Sequence, residues 1–180
     1  MRYAGIIYNS IADCDNGVSL SLYLQGCPHH CKGCHNKETW DENGGTEIER
    51  SVLIEKIKNN LHKNDIKRNF SVLGGEPLAP YNVKDTLEII KEIKKYDKSV
   101  KVYLWSGYYL KEIRKMKIAK EVLKYVDVLI DGRFELSKRD VTLSLRGSSN
   151  QNIYKKKKIF FFDVLKKSIY KKKKFFSLMF

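Results

Sequence analysis

Residues 70–93 of the chain, FSVLGGEPLAPYNVKDTLEIIKEI, contain one complete strand-to-helix repeat. The short apolar run at residues 70–73 predicts a strand, and the glycines and proline at residues 74–77 mark the turn that ends it. Apolar residues then recur at helical spacing at Leu87, Ile90 and Ile93. A strand followed directly by a helix is the unit from which parallel sheets are built.

The same alternation continues on both sides of this repeat. Further strands are predicted at residues 2–8, 19–24, 100–105 and 126–130, and further helices at residues 110–116 and 118–125. One more helix is predicted after a capping-box signature formed by Thr46 and Glu49. The alternation predicts an α/β fold with a mainly parallel sheet and right-handed crossovers.

Length and composition bound the class of protein. The chain has 180 residues, of which 42% are hydrophobic, and its mean hydropathy of -0.46 is typical of a soluble globular domain. No apolar run approaches the length needed for a membrane span. Clustered cysteines without an export signal indicate a reducing compartment, so we expect a cytoplasmic protein.

The net charge of +14 is concentrated near the end of the chain. Residues 154–180 carry ten lysines and one aspartate, which leaves a net charge of +5 for residues 1–153. The Lys/Phe-rich segment is either a basic amphipathic surface for a membrane or an acidic partner, or a disordered or artefactual extension without a function. We favour the extension and place the functional domain in residues 1–153.

Three cysteines lie close together in residues 26–34, GCPHHCKGC. Cys27, Cys31 and Cys34 have C-x3-C-x2-C spacing with no fourth cysteine nearby. Three thiolates hold three corners of a [4Fe-4S] cluster and leave one iron free to bind another molecule. The spacing therefore suggests a cluster that takes part in chemistry.

Other interpretations of the cysteines remain open at this point. A structural zinc site would need a histidine as fourth ligand, for which the candidates are His29, His30 and His35. A disulfide framework is less consistent with four cysteines in 180 residues and no signal peptide. Cys14 stands apart, and we expect it to be a buried, inert thiol.

Four candidate elements each follow a predicted strand: the cysteine loop and residues 74–77, 105–107 and 131–132. The carboxyl ends of parallel strands meet at one edge of a sheet, where ligands bind. Gly74 and Gly75 would let the backbone approach a ligand, Glu76 would anchor an ammonium group, and Ser106 would donate to a carboxylate or hydroxyl. Each of these residues also has a local interpretation as a turn or cap residue.

Together these motifs resemble the radical S-adenosylmethionine superfamily. The fuller set is similar, in order and spacing, to the family that activates anaerobic ribonucleoside-triphosphate reductases. The segments that carry this resemblance are GCPHHCKGCHNKETWD, GGEPLAPYNV, YLWSGYYLKEI, VLIDGRF and LRGSSNQ. The resemblance covers residues 1–153, and residues 146–151 are its most specific part. Chains of this family usually end soon after that segment.

The resemblance implies an incomplete (β/α) barrel and two cofactors. Cys27, Cys31 and Cys34 would bind a [4Fe-4S] cluster, whose open iron would take the amino nitrogen and carboxylate oxygen of S-adenosylmethionine. Residues 74–76 match the segment that contacts the methionine amino group. Gly33 and His35, beside the last cysteine, match positions along the adenosine. Many superfamily members have an aromatic residue where this chain has Gly33.

The resemblance also implies a reaction. An electron from a flavodoxin-like carrier would split S-adenosylmethionine at the cluster, and the resulting 5′-deoxyadenosyl radical would take a hydrogen from a glycine of the large reductase subunit. This mechanism needs no general base, so we assign no catalytic side chain. A complete barrel needs about 250 residues, and the shorter chain is consistent with an open flank that admits a protein substrate.

Two alternative functions remain. The first is activation of another glycyl-radical enzyme, of the pyruvate formate-lyase type, or a small-molecule radical reaction. The second is a zinc-stabilised basic module that binds nucleic acid, although the lysine blocks lie far from the cysteines, so we expect no nucleic acid partner. Arg133, Phe134 and residues 146–151 are candidates for docking the reductase, with a local structural role for residues 146–151 as the alternative.

Overall fold

The computed structural model describes residues 1–159. Its strands are β1 Arg2–Ser10, β2 Val18–Leu24, β3 Thr46–Glu47, β4 Arg68–Gly74, β5 Val102–Ser106, β6 Val128–Asp131 and β7 Asn152–Lys155. Its α-helices are α1 Arg50–Leu61, α2 Val83–Tyr96, α3 Leu110–Ile113 and α4 Lys117–Val122. Within these residues, none of the helices has both the length and the apolar character that a bilayer crossing requires.

All seven strands form one sheet in the order β3-β1-β2-β4-β5-β6-β7. The four central strands β2, β4, β5 and β6 are parallel. The outer pairs, β1 with β2, β1 with β3 and β6 with β7, are antiparallel. The prediction of an α/β fold with a mainly parallel sheet is confirmed, whereas the radical S-adenosylmethionine type of barrel stays a prediction.

The two faces of the sheet have different chemistry because alternate residues of a strand point to opposite sides. One face carries the large apolar side chains of β2 and β4, such as Leu22 and Val72, and packs against the helices in the main core. The other face carries Ser19 and Ser71, whose hydroxyls lie 2.6 Å apart. The loop between β1 and β2 folds over this second face, where Ser71 Oγ donates to the carbonyl of Asp13 over 2.6 Å.

Two boundaries differ from the sequence-based expectation. Thr46 does not cap α1, because it pairs with Tyr3 in the antiparallel ladder of β3. The helix begins at Arg50, and Glu49 occupies the cap position without a side-chain hydrogen bond. At the other end, β7 runs across the expected boundary after residue 153. Residues 160–180 lie outside the described residues, so the interpretation of the extension stays a prediction.

A close backbone contact joins the carboxyl ends of β2 and β4. Gly75 N donates to Leu24 O over 2.8 Å, and Glu76 N donates to Gly26 O over 2.7 Å. A Cβ atom on Gly75 would lie 2.3 Å from Gly26 O, and Gly74 has a φ of +99°. Neither position accepts a side chain without moving backbone, which explains why two glycines stand here.

We expect Gly75→Ala to lower the free energy of unfolding by about 1–3 kcal/mol, the usual cost of forcing an atom into a packed site. Urea unfolding of the metal-free protein measures the difference. Gly5→Ala is the matched control because a Cβ atom there meets nothing within 4 Å, and its effect should stay within about 0.5 kcal/mol. Equal effects of the two substitutions would contradict the contact.

Candidate functional site

The four candidate elements meet around one cavity of about 400 Å³ at the carboxyl ends of the parallel strands. Among the residues that line it are most of those expected from the sequence: Cys27, Cys31, Cys34, His35, Gly74, Gly75, Glu76 and Ser106. The prediction that these elements share one edge of the sheet is therefore confirmed. Their roles toward a ligand stay predictions.

Gly33 is the expected site residue that does not line this cavity. Its φ is +78°, and a Cβ atom on it would lie 2.9 Å from Leu136 Cδ1. The glycine is therefore explained by a left-handed turn that packs under Leu136. The left-handed φ disfavours an aromatic residue at this position, and the contact expected between Gly33 and an adenosine stays a prediction.

The cysteine loop, residues 26–34, is held at its base by backbone hydrogen bonds. Gly26 N donates to Thr39 O over 2.8 Å, and Cys27 N donates to Trp40 O over 3.0 Å. Further along, Cys34 N donates to Cys31 O over 3.0 Å and closes a turn between the last two cysteines. All three loop cysteines are half-buried free thiols that face the same cavity.

The surroundings of the thiols favour their neutral form in the metal-free protein. Burial raises the pKa of Cys27 to about 11, and the negative charge of Glu76 adds to this effect. Burial also raises the pKa of Cys31, against a smaller opposing contribution from the backbone of Phe134. A bound metal replaces the thiol proton and supplies the positive charge that the site lacks. Three free, half-buried sulfur donors suit iron.

The arrangement of donors does not suit a single zinc ion. Among residues 1–159, no three side chains of His, Cys, Asp or Glu converge closely enough to hold one metal ion, as a tetrahedral zinc site requires. His29 is bonded to Glu76 through Nε2, and the ring of His30 stacks on Trp40 with a centroid distance of 4.8 Å. His29 and His30 therefore each have a protein partner in this structure.

The carboxylate of Glu76 is buried, with 1% of its side chain exposed. Its Oε1 atom accepts from Leu78 N over 2.9 Å and from Ser106 Oγ over 2.8 Å. Its Oε2 atom accepts from Gly107 N over 2.7 Å and is bonded to His29 Nε2 over 2.9 Å. Four partners use the hydrogen-bonding capacity of a carboxylate. The protein therefore holds this side chain in place, and the expected contact of Glu76 with a ligand ammonium stays a prediction.

Ser106 and Asp131 also serve the protein itself. The hydroxyl of Ser106 donates to Glu76 and accepts from Tyr108 N over 3.1 Å, so its proton is already used. Asp131 is buried and accepts from Leu110 N at the start of α3 and from Asn152 Nδ2. Burial raises the pKa of Asp131. The contacts proposed between a ligand and Ser106, His35 or the backbone of Gly74 and Gly75 stay predictions.

Two cavity residues, Asp13 and Tyr23, were not expected from the sequence. Asp13 Oδ2 accepts from Ser10 Oγ over 2.6 Å and from Tyr23 OH over 3.2 Å. Burial, together with the charge of Asp13, raises the pKa of Tyr23 to about 12. Ordinary strand and turn patterns gave no signal for this pair, because it forms only when the β1–β2 loop folds over the sheet.

Residues 146–151 form a tight turn beside the cavity. Gln151 Oε1 accepts from Gly147 N over 2.9 Å and from Ser148 N over 3.2 Å. Asn150 Nδ2 donates to Arg133 O over 2.8 Å. Gln151 thus closes the turn, Asn150 joins it to the loop after β6, and Arg146 and Gln151 line the cavity. A role of this segment in docking stays a prediction.

Comparison with known proteins gives consistent matches. Residues 15–154 match the family model described as a 4Fe-4S single cluster domain. A protein of Pasteurella multocida (strain Pm70) is 36% identical over 140 residues, which are 77% of this chain and 88% of that protein. A protein of Escherichia coli (strain K12) is 36% identical over 139 residues, with the same shares. A protein of Enterobacteria phage T4 is 33% identical over 152 residues, 82% of this chain and 92% of the phage protein. All three are named anaerobic ribonucleoside-triphosphate reductase-activating proteins.

The raised pKa of Cys27 predicts slow alkylation of the metal-free folded protein. With a pKa of about 11, the thiol at pH 8 contains about a hundredfold less thiolate than an ordinary cysteine. Iodoacetamide labelling followed by peptide mass spectrometry measures the rate, which should rise steeply as the pH approaches 11. Labelling in 6 M guanidinium is the control, and equal rates there and in the folded protein would contradict the shift.

Proposed function

Because the chain belongs to the family of anaerobic ribonucleoside-triphosphate reductase-activating proteins, we propose that it activates such a reductase by generating a glycyl radical on it. The observation that carries this proposal is the cavity that three free thiols share at the carboxyl ends of the parallel strands. Cys27, Cys31 and Cys34 would hold a [4Fe-4S] cluster. The protein is then a radical S-adenosylmethionine enzyme with an incomplete (β/α) barrel.

When bound, the cofactors would supply the chemistry, which is reductive cleavage of S-adenosylmethionine and removal of hydrogen from a glycine of the reductase. The chain's own contribution is ligation, orientation and exclusion of water. The three cysteines of one short loop would hold three corners of the cluster and would leave the fourth iron without a protein ligand. Half-burial of the thiols limits the access of water to that position.

We propose that the same cavity also admits S-adenosylmethionine. Its volume of about 400 Å³ lies within the range of small-molecule sites. Gly74 and Gly75 present backbone atoms to it, and we propose that these atoms contact the methionine part. His35 lies exposed beside the last cysteine, and we propose that it lies along the adenosine.

The cavity opens between loops that are suited to contact with a protein. Ile11 and Val141 are each 80% exposed, and their loops also supply Ala12 and Leu143 to the cavity wall. We propose that the reductase presents its glycine here, that Arg133, Phe134 and residues 146–151 take part in docking, and that the electron comes from a flavodoxin-like carrier in the cytoplasm.

We expect a glycyl-radical doublet in the electron paramagnetic resonance spectrum when the reconstituted protein, reductant, S-adenosylmethionine and the large anaerobic reductase subunit are mixed without oxygen. Alanine at Cys27, Cys31 or Cys34 should abolish the doublet, because each substitution removes one corner of the cluster site. Cys14→Ala is the matched control, since this thiol packs with Tyr103 and Ile130 away from the other three, and it should retain the signal.

The outcomes separate the parts of the proposal. A cluster signal that shifts on addition of S-adenosylmethionine, without a doublet on a competent reductase, would retain the cofactors and reject the partner. In that case pyruvate formate-lyase is the next substrate to test. Stoichiometric zinc and no iron in protein purified without oxygen would reject the cluster and the proposed function.

A further inference from the structure

His29 lies midway between Cys27 and Cys31 in the sequence. We propose that His29 is a positioning residue whose hydrogen bond to Glu76 holds the cysteine loop against the ends of β4 and β5, so that Cys27 and Cys31 face the cavity. This bond is called the His29 latch below. The inference rests on the proposed function only in naming the cluster that the thiols hold.

The latch joins the middle of the cysteine loop to an acceptor that the protein holds in place. Backbone bonds hold Gly26 and Cys27 at the base of the loop, and His29 provides a side-chain contact two residues further on. Its Nε2 atom lies 2.9 Å from Glu76 Oε2, and the two side chains are 5% and 1% exposed. Burial on both sides excludes water, which would otherwise compete for the bond.

The other partners of Glu76 indicate which atom is the donor in its bond to His29. Leu78 N, Ser106 Oγ and Gly107 N all donate to the carboxylate, which holds it in one orientation. A carboxylate that accepts from these groups also accepts from His29, so the imidazole carries its proton on Nε2. The latch is therefore a directional bond from the cysteine loop to an acceptor fixed by two strand ends.

The ring of His29 fits a space that the structure keeps free for it. A Cβ atom on Gly107 would lie 2.2 Å from His29 Cδ2, so a side chain there would displace the ring. On another side, the ring packs against Tyr108 in an edge contact with a centroid distance of 4.5 Å. Arg133 lies over the Tyr108 ring, 6.0 Å from its centroid. The latch can thus be broken by removing the imidazole of His29 or by adding a Cβ atom at Gly107 that displaces it.

The first test measures iron release from the reconstituted holoprotein to a chelator under anaerobic conditions. His29→Ala and Gly107→Ala should each release iron about tenfold faster than wild type, the size of effect typical when a residue that supports metal ligands is lost. His29→Gln should restore much of the retention because its amide N–H replaces the lost donor. His30→Ala is the matched control, since this neighbouring histidine is exposed and stacks on Trp40, and it should behave as wild type.

The second test needs no cluster and so separates the latch from the proposed function. In the metal-free protein, alkylation of Cys27 and Cys31 should become faster in His29→Ala than in wild type and stay unchanged in His30→Ala. Circular dichroism checks that each variant is folded. If Gly107→Ala does not fold, the comparison of His29→Ala with His29→Gln tests the latch. If wild type takes up no cluster, the proposed function fails while the alkylation result still decides the latch. The latch would be overturned if His29→Ala had the same rates of alkylation and iron release as wild type. Equal changes of these rates in His29→Ala and His30→Ala would also overturn it.

Discussion

The buried carboxylate of Glu76 connects three strand ends, and the arrangement of the cavity depends on it. A carboxylate removed from water is tolerated only when its oxygens are fully hydrogen-bonded. Its partners come from its own turn after β4, from Ser106 and Gly107 after β5, and from His29 after β2. Because the partners belong to separate loops, satisfying this one group requires that all of those loops take their observed positions together.

Close backbone approach is the second condition for this arrangement. Gly75 lies against Gly26, and Gly107 lies against the ring of His29, so that neither position has room for a Cβ atom. The two contacts place the turns after β4 and β5 on either side of the cysteine loop. Gly75, which was first considered as a place where a ligand meets the backbone, and Gly107 thus let three loops pack together beside the cavity.

The order of the central strands and helices and the shared edge of the candidate elements were predictable, because hydrophobic periods and turn residues are local features, whereas the short strands β3 and β7 were not predicted. The capping box at Thr46 was wrong because a strand pairing with Tyr3 competed for the same residue. The protein partners of Gly33 and of the Glu76 side chain could not be predicted for a similar reason. Each residue had a protein partner, Leu136 or His29, that no local pattern identifies.

The amino-acid sequence by itself determined the chemistry available to this protein: three closely spaced thiols on a loop after a strand, and a β/α alternation that carries the other candidate elements to the same edge. Only the tertiary structure decided how those elements are used. Glu76 is bonded to groups up to 47 residues away in the chain, and Asp13 meets Tyr23 only because a loop covers the sheet. The spacing of residues along a chain specifies which groups an element carries. The hydrogen-bond partners of a buried polar group are the groups that folding brings near it, and spacing does not specify those.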